Sequence, residues 1–218
     1  ALYCEGSSPL IIGCTFRNNS ATAWGGAAYA TGGASPSFDL CFFETNTANN
    51  GAGLGVFDNA GGSVSLLDCQ FLANTADSAG GAIKTHGSEV MSVSWCDFEL
   101  NTADVGGAVR IQNNTGLTSF EYCRFVSNIA TSAGGGAGLH NSDVDVTSCS
   151  FENNDSPLGG GIRCSGNGSV SVMDSWFCGN SIDHVLGCGN GSGNSFYDDC
   201  VDCNLSGIPD YWEIFVGT

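Results

Sequence analysis

At 218 residues the chain has room for one elongated domain or at most two ordinary ones. Five Lys and Arg against 22 Asp and Glu leave a formal net charge of −17. That charge excludes a nucleic-acid backbone as the main partner, since phosphate binding needs clustered cations, and it argues against docking on anionic lipid. No apolar run approaches the ~18 residues of a membrane span, and 33 Gly with only 12% charged residues describe a backbone that turns often rather than a charge-rich disordered chain.

From residue 11 onward the chain repeats itself. The string Cys-x-Phe-x-x-Asn occurs at Cys14-Phe16-Asn19, Cys41-Phe43-Asn46, Cys69-Phe71-Asn74, Cys96-Phe98-Asn101, Cys123-Phe125-Asn128 and Cys149-Phe151-Asn154. A seventh copy, Ser175-Phe177-Asn180, carries Ser in place of Cys. The steps are 27, 28, 27, 27, 26 and 26 residues, so each copy is one structural unit. After the Asn comes a small residue, then a glycine cluster such as Gly80-Gly81-Ala82-Ile83 or Gly106-Gly107-Ala108-Val109. Before the next Cys, apolar and polar residues alternate, as in Val64-Ser65-Leu66 and Val144-Asp145-Val146, which is the period of a strand.

Three short strands and three turns fit such a unit at ~3.3 Å per strand residue. A coil of that kind buries its inner face only by stacking on a neighbour. The expected fold is therefore all-β: a right-handed parallel β-helix of about seven three-stranded coils, 26–28 residues each. It should occupy residues 1–187, followed by a disulfide-rich segment over 188–218. Stacking turns the Phe residues into an interior aromatic column and sets the column Cys14, Cys41, Cys69, Cys96, Cys123 and Cys149 beside it. Those cysteines are either six buried thiols or up to three disulfides between neighbouring coils. The Asn column is placed at a turn, where the amide can bond the turn backbone and its neighbours above and below and where Asn tolerates unusual φ.

The Phe-x-x-Asn and Gly-Gly-Ala-Ile pairing, as in Phe71-Leu-Ala-Asn74 with Gly80-Gly81-Ala82-Ile83, resembles the repeats of the polymorphic outer membrane proteins of chlamydiae over roughly residues 11–182. The resemblance implies a β-helix exposed at a cell surface, with adhesion to surface glycans or a host receptor as its usual role.

Lys84, Arg110, His140 and Arg163 each follow a glycine-rich segment and are expected to stack on one outer face, with His86 and Gln112 two residues on. Such a stripe is a candidate glycan-binding face. A polysaccharide lyase or glycoside hydrolase is the enzymatic alternative, and a solvated row paired with Glu89, Asp143 and Asp145 is the bland one. Evenly sized coils, without long loops to shape a pocket, favour a non-enzyme with no catalytic residues. Sequons at Asn18, Asn113, Asn154, Asn167, Asn190 and Asn204 are candidate glycosylation sites.

Twelve cysteines point to an oxidising, extracellular compartment, and if the chain is exported its signal is already removed ahead of Ala1. Cys4, Cys164, Cys178, Cys188, Cys200 and Cys203 fall outside the column, and two or three disulfides are expected to fasten the last coil. The segment Asp202-Cys-Asn204-Leu-Ser206-Gly-Ile208-Pro-Asp210-Tyr-Trp-Glu213 follows the grammar of a calcium loop. Side-chain oxygens fall at positions 1, 3, 5, 9 and 12, with the Ile208 carbonyl at 7. It resembles the dockerin-like and thrombospondin-type calcium repeats of secreted bacterial proteins. The apolar run from Ile208 to Val216, with a short approach to the first coil, suggests head-to-tail assembly into a fibre. If the loop binds Ca2+, adding the ion should raise the melting temperature, and Asp202→Ala or Glu213→Ala should abolish that rise. A parent protein indifferent to chelator would sink the assignment.

Overall fold

Each unit closes one turn of a coil because its extended segments are separated by residues that accept a positive φ. The computed structural model describes residues 1–87 and 89–197, and they form a right-handed parallel β-helix of about seven turns. Three sheets of eight parallel strands run its length. Sheet A stacks Leu2–Glu5, Ala28–Thr31, Leu54–Phe57, Ile83–His86, Val109–Gln112, Ala137–His140, Ile162–Ser165 and Val185–Leu186. Sheet B holds the alternating segments, such as Ser63–Leu67 and Val90–Ser94, and sheet C the Phe segments, such as Gln70–Leu72 and Asp97–Glu99. Sheets B and C continue through Gly189–Asn190 and Ser195–Tyr197, so the ladders run on past residue 187.

Three strands per coil are expected, and the middle coils have a fourth. Thr47–Asn50, Thr75–Ala79, Thr102–Val105 and Ile129–Ala133 form a short sheet D directly after the Asn. A β-branched residue opens each of these segments and favours the extended backbone. Register shifts mark their approach to the glycine turn. In that turn the first glycine, Gly80 or Gly106, has φ of 64–66°, and a Cβ there would strike the carbonyl of Ile83 or Val109. The second, Gly81 or Gly107, lies against the backbone of the next coil, where a Cβ would strike the carbonyl of Gly107 or Gly135.

The other corners use the left-handed region without glycine. The residue before the Cys (Leu40, Asp68, Trp95, Tyr122, Ser148, Asp174) and the residue before the Asn (Asn18, Thr45, Ala73, Leu100, Ser127, Asn153) have φ between 49 and 57°. The expectation that the ladder Asn itself takes the unusual φ is thereby corrected. The strain sits one residue earlier, and the Asn aims its amide inward. Asn74 Nδ2 donates to the Phe43 carbonyl at 2.8 Å and to Asn101 Oδ1 at 3.0 Å, and the Asn74 backbone N–H donates to the same oxygen at 3.0 Å. The pattern repeats along the ladder to Asn180, so these buried amides avoid the roughly 1–3 kcal/mol cost of an unpaired polar group.

Every ring of the Phe column stacks on the next. Centroid separations from Phe16 to Phe177 run from 4.5 to 5.0 Å, and Phe196 extends the stack at 5.1 Å. Phe38 and Phe120 reach in from sheet B to make edge contacts with it.

Beside the Phe stack the Cys column is a row of thiols. Cys41, Cys69, Cys96, Cys123 and Cys149 are buried, while Cys14 is exposed, contrary to expectation, because a coil covers it on one side only. The thiols bond the chain instead of one another's sulfur covalently: Cys69 donates to the Leu67 carbonyl at 3.3 Å, and the Cys69 N–H donates to Cys96 Sγ at 3.4 Å. Burial pushes the Cys96 and Cys123 thiols well up, which keeps them protonated and unreactive. Outside the column, Cys4 is a buried thiol, Cys164 pairs with Cys188, and Cys178 is also disulfide-bonded. Cys200, Cys203, the calcium-type loop 202–213 and the apolar run 208–216 lie outside the described residues.

Phe98 is fully buried with a ring on either side, and Phe16 has a neighbour on one side only. Phe98→Ala should therefore cost about 3–5 kcal/mol as a cavity in the middle of the stack. Phe16→Ala should cost less. Denaturant unfolding of the two variants checks this, and equal losses would contradict a continuous column.

Candidate functional site

Outward-pointing positions of sheet A form two parallel columns, because alternate strand residues face solvent and the register is exact from coil to coil. The first column runs Tyr3, Tyr29, Gly55, Lys84, Arg110, Gly138, Arg163 and Leu186. Two residues on, the second runs Glu5, Thr31, then Phe57, His86, Gln112, His140 and Ser165. His140 thus does not share a column with Lys84, Arg110 and Arg163; Gly138 holds that place. The reason is register: Lys84, Arg110 and Arg163 lie four residues after the first glycine of their turns, Gly80, Gly106 and Gly159, and Gly138 lies four after Gly134. His140 lies six after, as His86 and Gln112 do.

Gly138 matters to the face. A Cβ there would come within 3.2 Å of Arg110 Nη1, so the guanidinium extends along the helix axis over a bare rung. Arg163 lies in the same way toward Gly187, 3.1 Å from where its Cβ would be. Both arginines are half-buried, and among the described residues no carboxylate lies within ion-pair distance of either. The other two arginines are paired on sheet C, Arg17 with Glu44 at 2.6 Å and Arg124 with Asp97 and Glu152 at 3.7 and 3.5 Å.

Lys84 is buried beneath its neighbours, at 2% exposure, and its Nζ donates to Gln112 Oε1 at 2.6 Å. Burial, reinforced by the Arg110 charge, lowers its pKa to about 7. An ammonium at that value is half neutral near pH 7, competent as a base in principle, yet covered.

His86 and His140 are tied into a polar chain along the axis. The Asn113 amide donates to His86 Nε2 at 3.3 Å, and the Asn141 amide donates to His140 Nε2 at 3.1 Å and to Asn113 Oδ1 at 3.1 Å. With Nε2 accepting, the His140 proton sits on Nδ1 and is donated to Ser165 Oγ at 2.9 Å.

The other half of the face is aromatic, which the sequence reading missed. Tyr3 packs on Tyr29 at 5.7 Å, Trp24 on Phe57 at 4.9 Å, and Phe57 on His86 at 5.4 Å. Counting four and six residues from each first glycine would have found Tyr29 and Phe57 from the sequence. A second exposed aromatic pair, Trp95 and Tyr122, stacks at 4.5 Å on the corner between sheets B and C. It borders a groove of about 320 Å³ lined by Asp39, Leu40, Leu67, Asp68 and Trp95.

Among the described residues none of Glu89, Asp143 and Asp145 forms an ion pair with the stripe: Glu89 is fully buried and acts on Lys84 only as a charge, and Asp143 accepts a hydrogen bond from the Ser169 N–H at 2.8 Å. Among the sequons, Asn18, Asn113 and Asn167 are exposed. Asn154 is not available for a glycan, because it is buried in the Asn ladder and its amide donates to the Phe125 carbonyl and Asn180 Oδ1, each at 2.9 Å. Asn204 lies outside the described residues, and of Asn190 only the backbone is described.

Along the sheet A face the described residues supply cations, amides, imidazoles and aromatic rings, with Glu5 as the one carboxylate in the two columns. Among the described residues no group of three or more His, Cys, Asp and Glu side chains could hold a metal ion. Such a surface can grip an extended polar ligand, but it offers no pair of carboxylates for acid and base work. A family model described as a right-handed beta helix region matches residues 1–201. No curated protein matches the chain.

Proposed function

Because the chain belongs to the family of right-handed beta helix regions, which serve both adhesins and polysaccharide-degrading enzymes, we propose that it is a non-enzymatic, extracellular or cell-surface adhesive rod that binds glycans on the outer face of sheet A. The observation that carries this reading is that Arg110 and Arg163 have no carboxylate within ion-pair distance among the described residues, on a protein of net charge −17. Without a close carboxylate, these guanidinium groups are free to take one from a ligand. The aromatic half of the face, Tyr29, Trp24 and Phe57, adds flat apolar surface for sugar rings. A ligand would run along the helix axis, crossing several rungs.

The enzymatic reading rests on Lys84, whose near-neutral amine beside Arg110 is the combination a lyase base requires. Burial of that amine and its bond to Gln112 favour a structural role. Binding to immobilised uronic-acid and neutral glycans should be lost, by tenfold or more, in Arg110→Ala/Arg163→Ala, with the fold unchanged by circular dichroism. Equal binding by the double variant would remove the face from consideration, and release of unsaturated products from a uronic-acid polymer would overturn the non-enzymatic part.

Self-association head to tail belongs to the same proposal. The apolar run from Ile208 to Val216 is the feature that supports it. Deleting residues 208–218 should convert sedimenting filaments to monomers; a parent protein that sediments as a monomer at high concentration would refute assembly.

A further inference from the structure

Glu89 is fully buried in the corner where sheet A turns into sheet B, and neither carboxylate oxygen has a hydrogen-bond partner. Two more buried oxygens nearby are in the same position: Asn59 Oδ1, from the preceding coil, and Thr85 Oγ1, from the strand that leads into the turn. The Asn59 amide is fixed in orientation, because its Nδ2 donates to the Ala34 carbonyl at 2.8 Å. A Cβ on Gly87 would lie 3.1 Å from Glu89 Oε2 and 3.6 Å from the Asn59 nitrogen, which puts the carboxyl beside the Asn59 turn.

As a carboxylate, Glu89 leaves Asn59 Oδ1 without a donor: both are acceptors, and the Thr85 hydroxyl and the Glu89 backbone N–H favour the carboxyl. A proton on Glu89 completes the count. Its O–H donates to Asn59 Oδ1, the Thr85 hydroxyl donates to the other carboxyl oxygen, and every orphan atom gains a partner. Among the described residues no group of three or more His, Cys, Asp and Glu side chains lies here to hold a metal ion, and a proton needs no such set.

We propose that Glu89 is a neutral carboxylic acid that clasps the Asn59 turn to the Thr85 strand, and that its ionisation on raising the pH opens this corner of the solenoid. The device is locked in acid and released in alkali. It lies on the turn that follows Phe57 and His86, so its release loosens the aromatic half of the sheet A face.

The charged and titratable groups on the packed elements are few. Lys84, His86 and Arg110 lie on the outer side of sheet A, Asp58 is exposed at the preceding turn, and Glu121 is exposed at the far end of its strand. Burial raises the Glu89 pKa, and its own backbone N–H, the Thr85 hydroxyl and the Lys84 charge only partly oppose it. A raised folded-state value means the native chain holds this proton more tightly than the unfolded chain. The stabilisation is therefore full below the ordinary carboxylate range and is lost as pH rises through the folded value. Acid also relieves the general repulsion of a chain with net charge −17, so a global melting curve cannot isolate Glu89.

Hydrogen exchange of the peptide spanning residues 83–91, corrected for intrinsic rates, isolates it when the parent is compared with Glu89→Gln. Gln keeps the shape, donates to Asn59 Oδ1 and has no proton to lose. Protection in the parent should be level below the ordinary carboxylate range, fall by up to about tenfold per pH unit from there to the native value and level off above it, while the variant stays level throughout. A parent that stays level from about pH 5 to about pH 9 overturns the proposal. So does calcium or sodium restoring protection in alkali to the parent but not to the variant, since the corner would then hold a cation. Should the variant not fold, the side-chain ¹³C carboxyl shift of Glu89 in the parent decides alone: titration in the ordinary carboxylate range refutes the neutral acid.

Discussion

Parallel strands in register leave ~4.8 Å between rungs, and every inward side chain must accept its counterpart in the next coil at that distance. Flat rings, short amides and thiols satisfy the condition, and these are the residues that repeat. The Phe rings stack nearly parallel, each Asn both donates to and accepts from its neighbours, and each column thiol finds a carbonyl of its own coil. Any residue that cannot sit on its own copy is forced outward or to an end.

The corners follow from the same spacing. A coil that must return above its starting point within about 27 residues has to bend sharply several times, and a left-handed residue does so in one step. Gly, Asp, Asn and Ser are the ordinary choices. Leu40, Trp95 and Tyr122 occupy the same column at φ of 53–57° and remain 41–50% exposed. Bulky apolar side chains at strained, exposed positions are the opposite of what turn chemistry prefers. Together with the sheet A face, that corner is where this solenoid departs from a plain structural rod.

Strand Ile83–His86 concentrates the unusual electrostatics. Lys84 points out of it and is covered, while Thr85 points inward, close to the buried Glu89 of the following turn. Burial drives Lys84 toward the neutral amine and Glu89 toward the neutral acid. Among the described residues only Glu152 joins Glu89 as a buried carboxylate. With the pH-sensitive groups held on the most regular part of the scaffold, a change in charge is felt as a change in how neighbouring coils pack.

The repeat of Cys14, Phe16 and Asn19 with its 26–28-residue step was enough to establish the coil, its parallel stacking and the Phe and Asn columns, because a ladder reads out as literal repetition along the chain. It also located the cationic residues of sheet A. The alignment between coils was a different matter. One residue gained or lost per turn shifts a side chain along the strand, so His140 and Gly138 are told apart by counting from the first glycine of the turn, the one that the positive φ of Gly134 marks. The fourth strand, the thiol state of the Cys column and the burial of Asn154 likewise depended on backbone geometry and packing rather than on residue type. Glu89 is the clearest case. In the sequence it is one acidic residue before a strand, with every appearance of a surface charge. Its burial is decided where sheet A passes into sheet B, by the stacking of this coil on the Asn59 turn of the coil before.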